Sequence, residues 1–198
     1  PLDCPICDQA GECKLQQYAF LFGPSSSSME EEKVQLEKRK VVGPHVVLDQ
    51  ERCISCTRCV RFCEEVTGTG ELAMSHRGHH SCVDAAEGKE LTARGYSGNV
   101  VDMCPVGALT NRDFRFESRV WDLQAQDTTC TLCSRGCNMT ADWRGERGRR
   151  PEIKRARARR NPGVNASWIC DEGRYGYQQA MAEGRPTDVA GAADLDSA

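Results

Sequence analysis

The residues of this chain best equipped for chemistry are its cysteines, thirteen in all. Cys4, Cys7 and Cys13 lie in "PLDCPICDQAGEC". Cys53, Cys56, Cys59 and Cys63 form C-x2-C-x2-C-x3-C in "CISCTRCVRFC", and Cys130, Cys133 and Cys137 follow in "CTLCSRGC". Eleven of the thirteen fall in these groups or at isolated positions able to complete one. Close-set thiolates are the ligand pattern of an iron–sulfur cluster or of zinc, and either usually takes four protein ligands. A disulfide framework fits this clustering poorly, so the expected compartment is a reducing one. The first group supplies only three ligands, and its fourth must come from elsewhere.

The middle run is that of bacterial ferredoxins, where the fourth cysteine precedes proline and ligates the other of two clusters. Here Glu64 follows Cys63, and the second run is gone apart from Cys104-Pro105. Exchange of fourth ligands then leaves one cluster, on Cys53, Cys56, Cys59 and Cys104, with Cys63 serving none. Thiolates at this interval wrap a compact cube, while backbone N–H groups of the turn point at the sulfurs and, with burial, set the potential. A four-cysteine zinc site is the alternative, but it usually uses two C-x2-C pairs. In the third group, Cys130, Cys133 and Cys137 give C-x2-C-x3-C, and Cys170 lies further on in "WICDEGRYGY". Between them "EIKRARARR" alternates, which puts Ile153, Arg155 and Arg157 on one strand face. A hairpin there would carry Cys170 back to close a second four-thiolate site.

The elements that must position these groups are short. "KLQQYAFLF" reads as a helix stopped by Gly23-Pro24. "SSSS" at 25–28 is a joint, and "MEEEKVQLEKRK" is a charged surface connector. "HVVLD" at 45–49 reads as a strand leading into the middle group, where a loop should run into a helix ending near Gly68. Glu71 to Ser97 is mixed strand and turn. "CPVGAL" at 104–109 is expected to start another helix, with Pro105 at its first position. The texture changes near 118–122, where a domain boundary is expected. The basic run from Arg144 to Arg160 is read as a solvated strand edge, or a contact for an acidic subunit, rather than a nucleic-acid surface. The final stretch, 181–198, is small and acidic and is expected to be disordered.

Composition narrows the field further. With 198 residues, 39% hydrophobic and 6% aromatic, the chain has room for one or two domains but not for one large core. A formal net charge of −3 does not favour nucleic acid. No apolar run approaches the ~18 residues of a membrane span. The first residue is Pro, with no signal-peptide pattern, and a fragment or processed chain is expected. Cys63 and Cys82 are read as buried small residues. His76, His79 and His80 are read as loop residues with packing roles.

"PLDCPICDQAGEC", "CISCTRCVRFCEEVTGTGEL", "GNVVDMCPVGALTNRDFRF" and "WICDEGRYGY" together resemble the large iron–sulfur subunit of bacterial NADH:quinone oxidoreductase, respiratory complex I. The resemblance runs from Pro1 to about Gln179. It implies a first group of the form H-x3-C-x2-C-x5-C, with one histidine and three cysteine ligands. Cys4, Cys7 and Cys13 match the cysteines. The histidine would stand just ahead of Pro1, and a domain with a 2Fe-2S cluster would precede it in the intact subunit. His45 is a poor substitute, being beyond the connector. Cys53, Cys56, Cys59 and Cys104 match the next 4Fe-4S cluster. Cys130, Cys133, Cys137 and Cys170 match a third, which only some members retain, although the stretch from Cys137 to Cys170 is a little long for the pattern.

The fold implied is α+β. A 4Fe-4S segment with mixed histidine and cysteine ligands (1–24) and a linker (25–44) lead to a ferredoxin-like 4Fe-4S domain (45–120). A β-rich 4Fe-4S domain of the molybdopterin oxidoreductase type (121–180) follows, then the tail. The expected function is electron relay from NADH and flavin through 4Fe-4S clusters toward quinone, with no general acid, base or nucleophile in this chain. The expected partners are other subunits of the peripheral arm of complex I, including the flavin-bearing NADH-oxidising subunit, on the cytoplasmic face of the inner membrane without insertion into it. One alternative is the electron-input subunit of an NAD-linked hydrogenase or formate dehydrogenase. Another, of a different class, is a zinc-bound scaffold or nucleic-acid module.

Overall fold

The thinly spread apolar residues gather into two clusters in the computed structural model, which describes residues 4–32, 34–145 and 151–181. The larger cluster holds Val46, Leu48, Val60, Phe62, Leu72, Val83, Leu91, Val100 and Leu109. The smaller is built on Met139, Ala156 and Ile169 beside Cys130 and Cys137. Three small antiparallel sheets and short helices frame them, an α+β arrangement.

Helix α1, Lys14–Phe22, begins at Cys13, whose sulfur caps it by accepting from the Gln16 N–H at 3.4 Å, and it ends at Gly23. It buries none of its residues fully. Residues 25–32 are exposed and irregular, as a connector should be. Strand β1, Lys40–Val41, pairs with β2, Val46–Leu48. After Cys53 a loop enters α2, Arg58–Arg61, which continues as a π-helical turn over Phe62–Val66 and closes before Gly68. Strands β3, Leu72–Ser75, and β4, Cys82–Ala85, form a hairpin.

Helix α3, Asn99–Met103, has Cys104 as its C-cap, and β5, Leu109–Asn111, follows. The helix expected from "CPVGAL" is therefore absent: residues 104–108 turn, and the helix lies ahead of them. The cause is Pro105, which disfavours the α region for the residue before it. Cys104 accordingly leaves the helix in an extended conformation. Pro105 terminates a helix here instead of opening one.

The register of β2 against β5 sets the middle group. Leu48 opposes Leu109, so the chain leaving β2 toward Cys53 and the chain entering β5 from Cys104 lie at the same end of the pair. The Asp49 N–H donates to the Ala108 carbonyl at 2.7 Å and extends that alignment.

Strands β6, Gln124–Thr129, β7, Asn138–Arg144, and β8, Glu152–Ala158, form a meander with a bulge at Asp142/Trp143. Helices α4, Asp171–Tyr175, and α5, Tyr177–Met181, follow. The basic strand β8 is not simply a solvated edge. Arg155 and Arg157 share a face, as alternation requires, and both close on the buried Asp142. A buried carboxylate keeps its charge only when paired, which draws the guanidinium groups inward. The terminal stretch expected to be disordered lies, after Met181, outside the described residues.

The sheet region is tied to α3 through polar contacts. Asp171 accepts from the Ser97 N–H, the Ser97 hydroxyl and the Gly98 N–H at 2.7–2.8 Å. Arg174, only 1% exposed, donates to Asp102, Asn99 and the Ala156 carbonyl.

Candidate metal centres

The middle site is assembled by three turns. Ser55 and Thr57 adopt left-handed backbone conformations, with φ of 52° and 60°. For residues with a Cβ this conformation is uncommon and is held by its surroundings. It lets the Ser55 N–H reach the Cys53 sulfur at 3.4 Å. Cys59 sits inside α2. Cys104 meets these residues across the β2–β5 pair, and Cys53, Cys56, Cys59 and Cys104 line one pocket with Leu48, Val83, Val106 and Leu109. That pocket encloses about 360 Å³ of unfilled space, counting the part open to solvent. Burial, and then the neighbouring sulfurs of Cys104, Cys53 and Cys56, push the Cys59 thiol up to about 12. Burial also raises Cys104, while N–H groups of Val106, Leu109 and Ala108 oppose the rise. Those donors are what a bound thiolate needs.

The first site lies beside it. Cys4, Cys7 and Cys13 line a second pocket together with Ala10, Arg52, Val106 and Gly107. Burial raises the Cys7 thiol; a Gln9 N–H bond and the Arg52 charge pull the other way. Arg119 holds the loop by donating to the Cys7 carbonyl at 2.8 Å. The Phe116 N–H donates to Asp8 at 3.1 Å. A Cβ on Gly107 would stand 2.0 Å from the Cys7 sulfur, so only glycine fits there. The histidine implied by the resemblance lies outside the described residues. His45 does not join this group: it stacks on Tyr175 with ring centroids 4.0 Å apart.

The third site forms at the β6–β7 connection. The Cys130 N–H donates to the Cys137 carbonyl at 2.8 Å, with Cys133 in the loop between them. Asn165 pins the returning chain: its side chain accepts from the Asn138 N–H and donates to the carbonyls of Arg159 and Trp168. Cys170 then caps α4, its sulfur accepting from the Gly173 N–H at 3.3 Å. A Cβ on Gly173 would lie 3.3 Å from the Cys130 sulfur and 3.5 Å from that of Cys170. Burial raises the Cys137 thiol, Arg135 lowers it, and Cys170, Cys130 and Cys133 raise it further, so all four cysteines face one another.

Cys63 is fully buried and Cys82 is 4% exposed. Cys63 sits among Leu72, Glu71 and Thr69, away from the middle pocket. Cys82 accepts weakly from the Gln50 amide at 3.5 Å. His79 and His80 stack on each other in an exposed turn. Among the described residues, no group of three or more His, Cys, Asp or Glu is gathered tightly enough to hold a single metal ion. No helix among them is long and apolar enough to cross a membrane.

Sequence reasoning misses Arg52, Val106, Gly107 and Gly173, which shape the sites without ligating. It also misses Glu12 and Arg155 as a pair. A glycine three residues after each isolated cysteine, Gly107 after Cys104 and Gly173 after Cys170, is the available signal.

The donor sets suit iron–sulfur clusters: four thiolates each in the second and third sites, backbone N–H groups on the sulfurs, and glycines where a Cβ would intrude. Residues 43–110 match the family model described as NADH-quinone oxidoreductase subunit 3, ferredoxin-like domain. Residues 1–28 match the NADH-ubiquinone oxidoreductase-G iron-sulfur binding region. The chain belongs to the NADH-quinone oxidoreductase-G family of iron–sulfur subunits. It is 41% identical over 187 residues to the family's NADH-quinone oxidoreductase protein from Streptomyces coelicolor, a match covering 94% of this chain and 22% of that protein. Against NADH-quinone oxidoreductase subunit 3 of Thermus thermophilus the identity is 40%, covering 91% and 24%. The mitochondrial NADH dehydrogenase [ubiquinone] iron-sulfur protein 1 of Solanum tuberosum is 41% identical, covering 89% and 23%. The chain thus spans about a quarter of the length of these relatives. A crystal structure of an NAD+-reducing [NiFe]-hydrogenase matches with a TM-score of 0.51 at 29% identity, covering 60% of this chain and 51% of that one.

Proposed function

We propose that this chain is an electron-relay segment of an NADH:quinone oxidoreductase, holding three 4Fe-4S clusters and working with the other subunits of the peripheral arm. Electrons would arrive from the flavin-bearing NADH-oxidising subunit and leave toward quinone, on the cytoplasmic face of the inner membrane. The observation that supports this most is the convergence of Cys104 on Cys53, Cys56 and Cys59 in one apolar pocket. In this reading Cys4, Cys7 and Cys13 hold the first cluster with an upstream histidine. Cys53, Cys56, Cys59 and Cys104 hold the second, and Cys130, Cys133, Cys137 and Cys170 the third, in a β-rich unit of the molybdopterin oxidoreductase type. A bound cluster supplies one-electron chemistry. The chain's own residues position: Val83, Val106 and Leu109 exclude water, and the N–H groups of Val106, Ala108 and Leu109 favour charge on Cys104. The hydrogenase likeness, at 29% identity, is weaker than the 40–41% shared with the oxidoreductase subunits.

Metal analysis tests the reading. Iron matched by acid-labile sulfide, broad visible absorbance and an EPR signal after reduction are expected. Colourless protein carrying stoichiometric zinc would overturn it.

A further inference from the structure

The wall between the first two sites is made of two short stretches, each facing both ways. In one, Arg52 lines the first pocket while its neighbour Cys53 lines the second. In the other, Cys104 lines the second pocket, Gly107 lies against the Cys7 sulfur of the first, and Val106 between them lines both. Arg52 is therefore a cation in a partition between two sets of thiolates, and it is only 8% exposed.

We infer that Arg52 is the residue that sets the potential of the first site relative to the second, by holding a fixed positive charge in the partition between them. The inference rests on the cluster reading above. A reduced cluster is one charge more negative than an oxidised one, so a nearby guanidinium stabilises the reduced form and raises the midpoint potential. Burial weakens solvent screening and enlarges the effect. Arginine suits the task because its charge persists at any physiological pH. Asp49 and Glu51 approach Arg52 at 4.0 and 3.6 Å, but both also pair with Lys38, and neither lines the first pocket. Arg52 is the charged side chain that does. The weakening of the Cys7 thiol's rise by Arg52 is the same field acting on a proton in place of an electron.

The test is a potentiometric EPR titration of the full-length protein in its assembled complex, comparing wild type with Arg52→Met and Arg52→Lys. Iron and sulfide content are measured alongside. In Arg52→Met the first-site midpoint is expected to fall and the second-site midpoint to fall less. The third-site midpoint should stay put as an internal reference. Arg52→Lys should recover most of the shift. If Arg52→Met fails to load the first cluster, Arg52→Gln takes its place. Loss of the cluster in both, an unmoved first midpoint, or an equal shift at all three sites overturns the inference. A wild-type protein without cluster signals would instead defeat the relay reading itself.

Discussion

The Arg155 guanidinium closes on the Glu12 carboxylate across 143 residues of sequence, with Nη1 2.9 Å from Oε2 and a second, shorter contact through Nη2. Glu12 stands next to Cys13 in the first site, whereas Arg155 belongs to the sheet that carries the third. Arg155 also reaches Asp142 at 2.6 Å and lies over the Phe114 ring at 4.7 Å. Its side chain is 11% exposed, so this forked contact acts in a poorly screened setting.

Arg155→Met should therefore loosen the loop before Cys13. The expected result is a loss of about 3 kcal/mol of stability, the low end for breaking a buried pair, together with iron and sulfide reduced at the first site. Arg157→Met, which leaves Glu12 paired, should spare that iron. Equal iron loss in the two variants would remove the special role of the Glu12 contact.

Cys104→Ser and Cys63→Ser separate ligand from packing. Cys104 lines the middle pocket, while Cys63 is buried elsewhere. Reduced-state EPR should lose the middle-cluster signal in the first variant and retain it in the second. The reverse pattern would reassign the ligand.

Gly107→Ala would place a methyl group 2.0 Å from the Cys7 sulfur, well inside van der Waals contact. Cluster content at the first site should fall sharply, and the third site should keep its signal. Full loading of the first site in this variant would show that the turn can yield.

Asp171→Ala would strand the buried N–H groups of Ser97 and Gly98. Bonds to a charged acceptor contribute about 1.5–3 kcal/mol each, so a loss on the order of 3 kcal/mol or more is expected. A lower urea midpoint at unchanged slope would report it. A midpoint near wild type would mean water replaces the carboxylate.

What the sequence discloses, and what it hides, follows from the range of each interaction. The intervals among Cys53, Cys56 and Cys59 are local, and they are legible. Cys104 is legible because a missing ferredoxin run leaves it as the surviving partner. Pro105 misleads, since a proline at the start of one helix and a proline ending another look alike without the tertiary setting. Alternation puts Arg155 and Arg157 on one face but cannot say that Asp142 and Glu12 wait there. Gly107 is silent because its need for a bare Cα comes from the sulfur of Cys7, far away in the chain.

The antiparallel register of Leu48 with Leu109 also carries a consequence in time. Half of the middle site is written early in the chain and the other half 51 residues later, at Cys104. At about 5–20 residues per second, a ribosome leaves the early thiols waiting roughly 3–10 s before β5 can zip onto β2. Until then the nascent polypeptide offers iron three loose sulfurs and no closing wall, so cofactor insertion must wait for translation to pass residue 111.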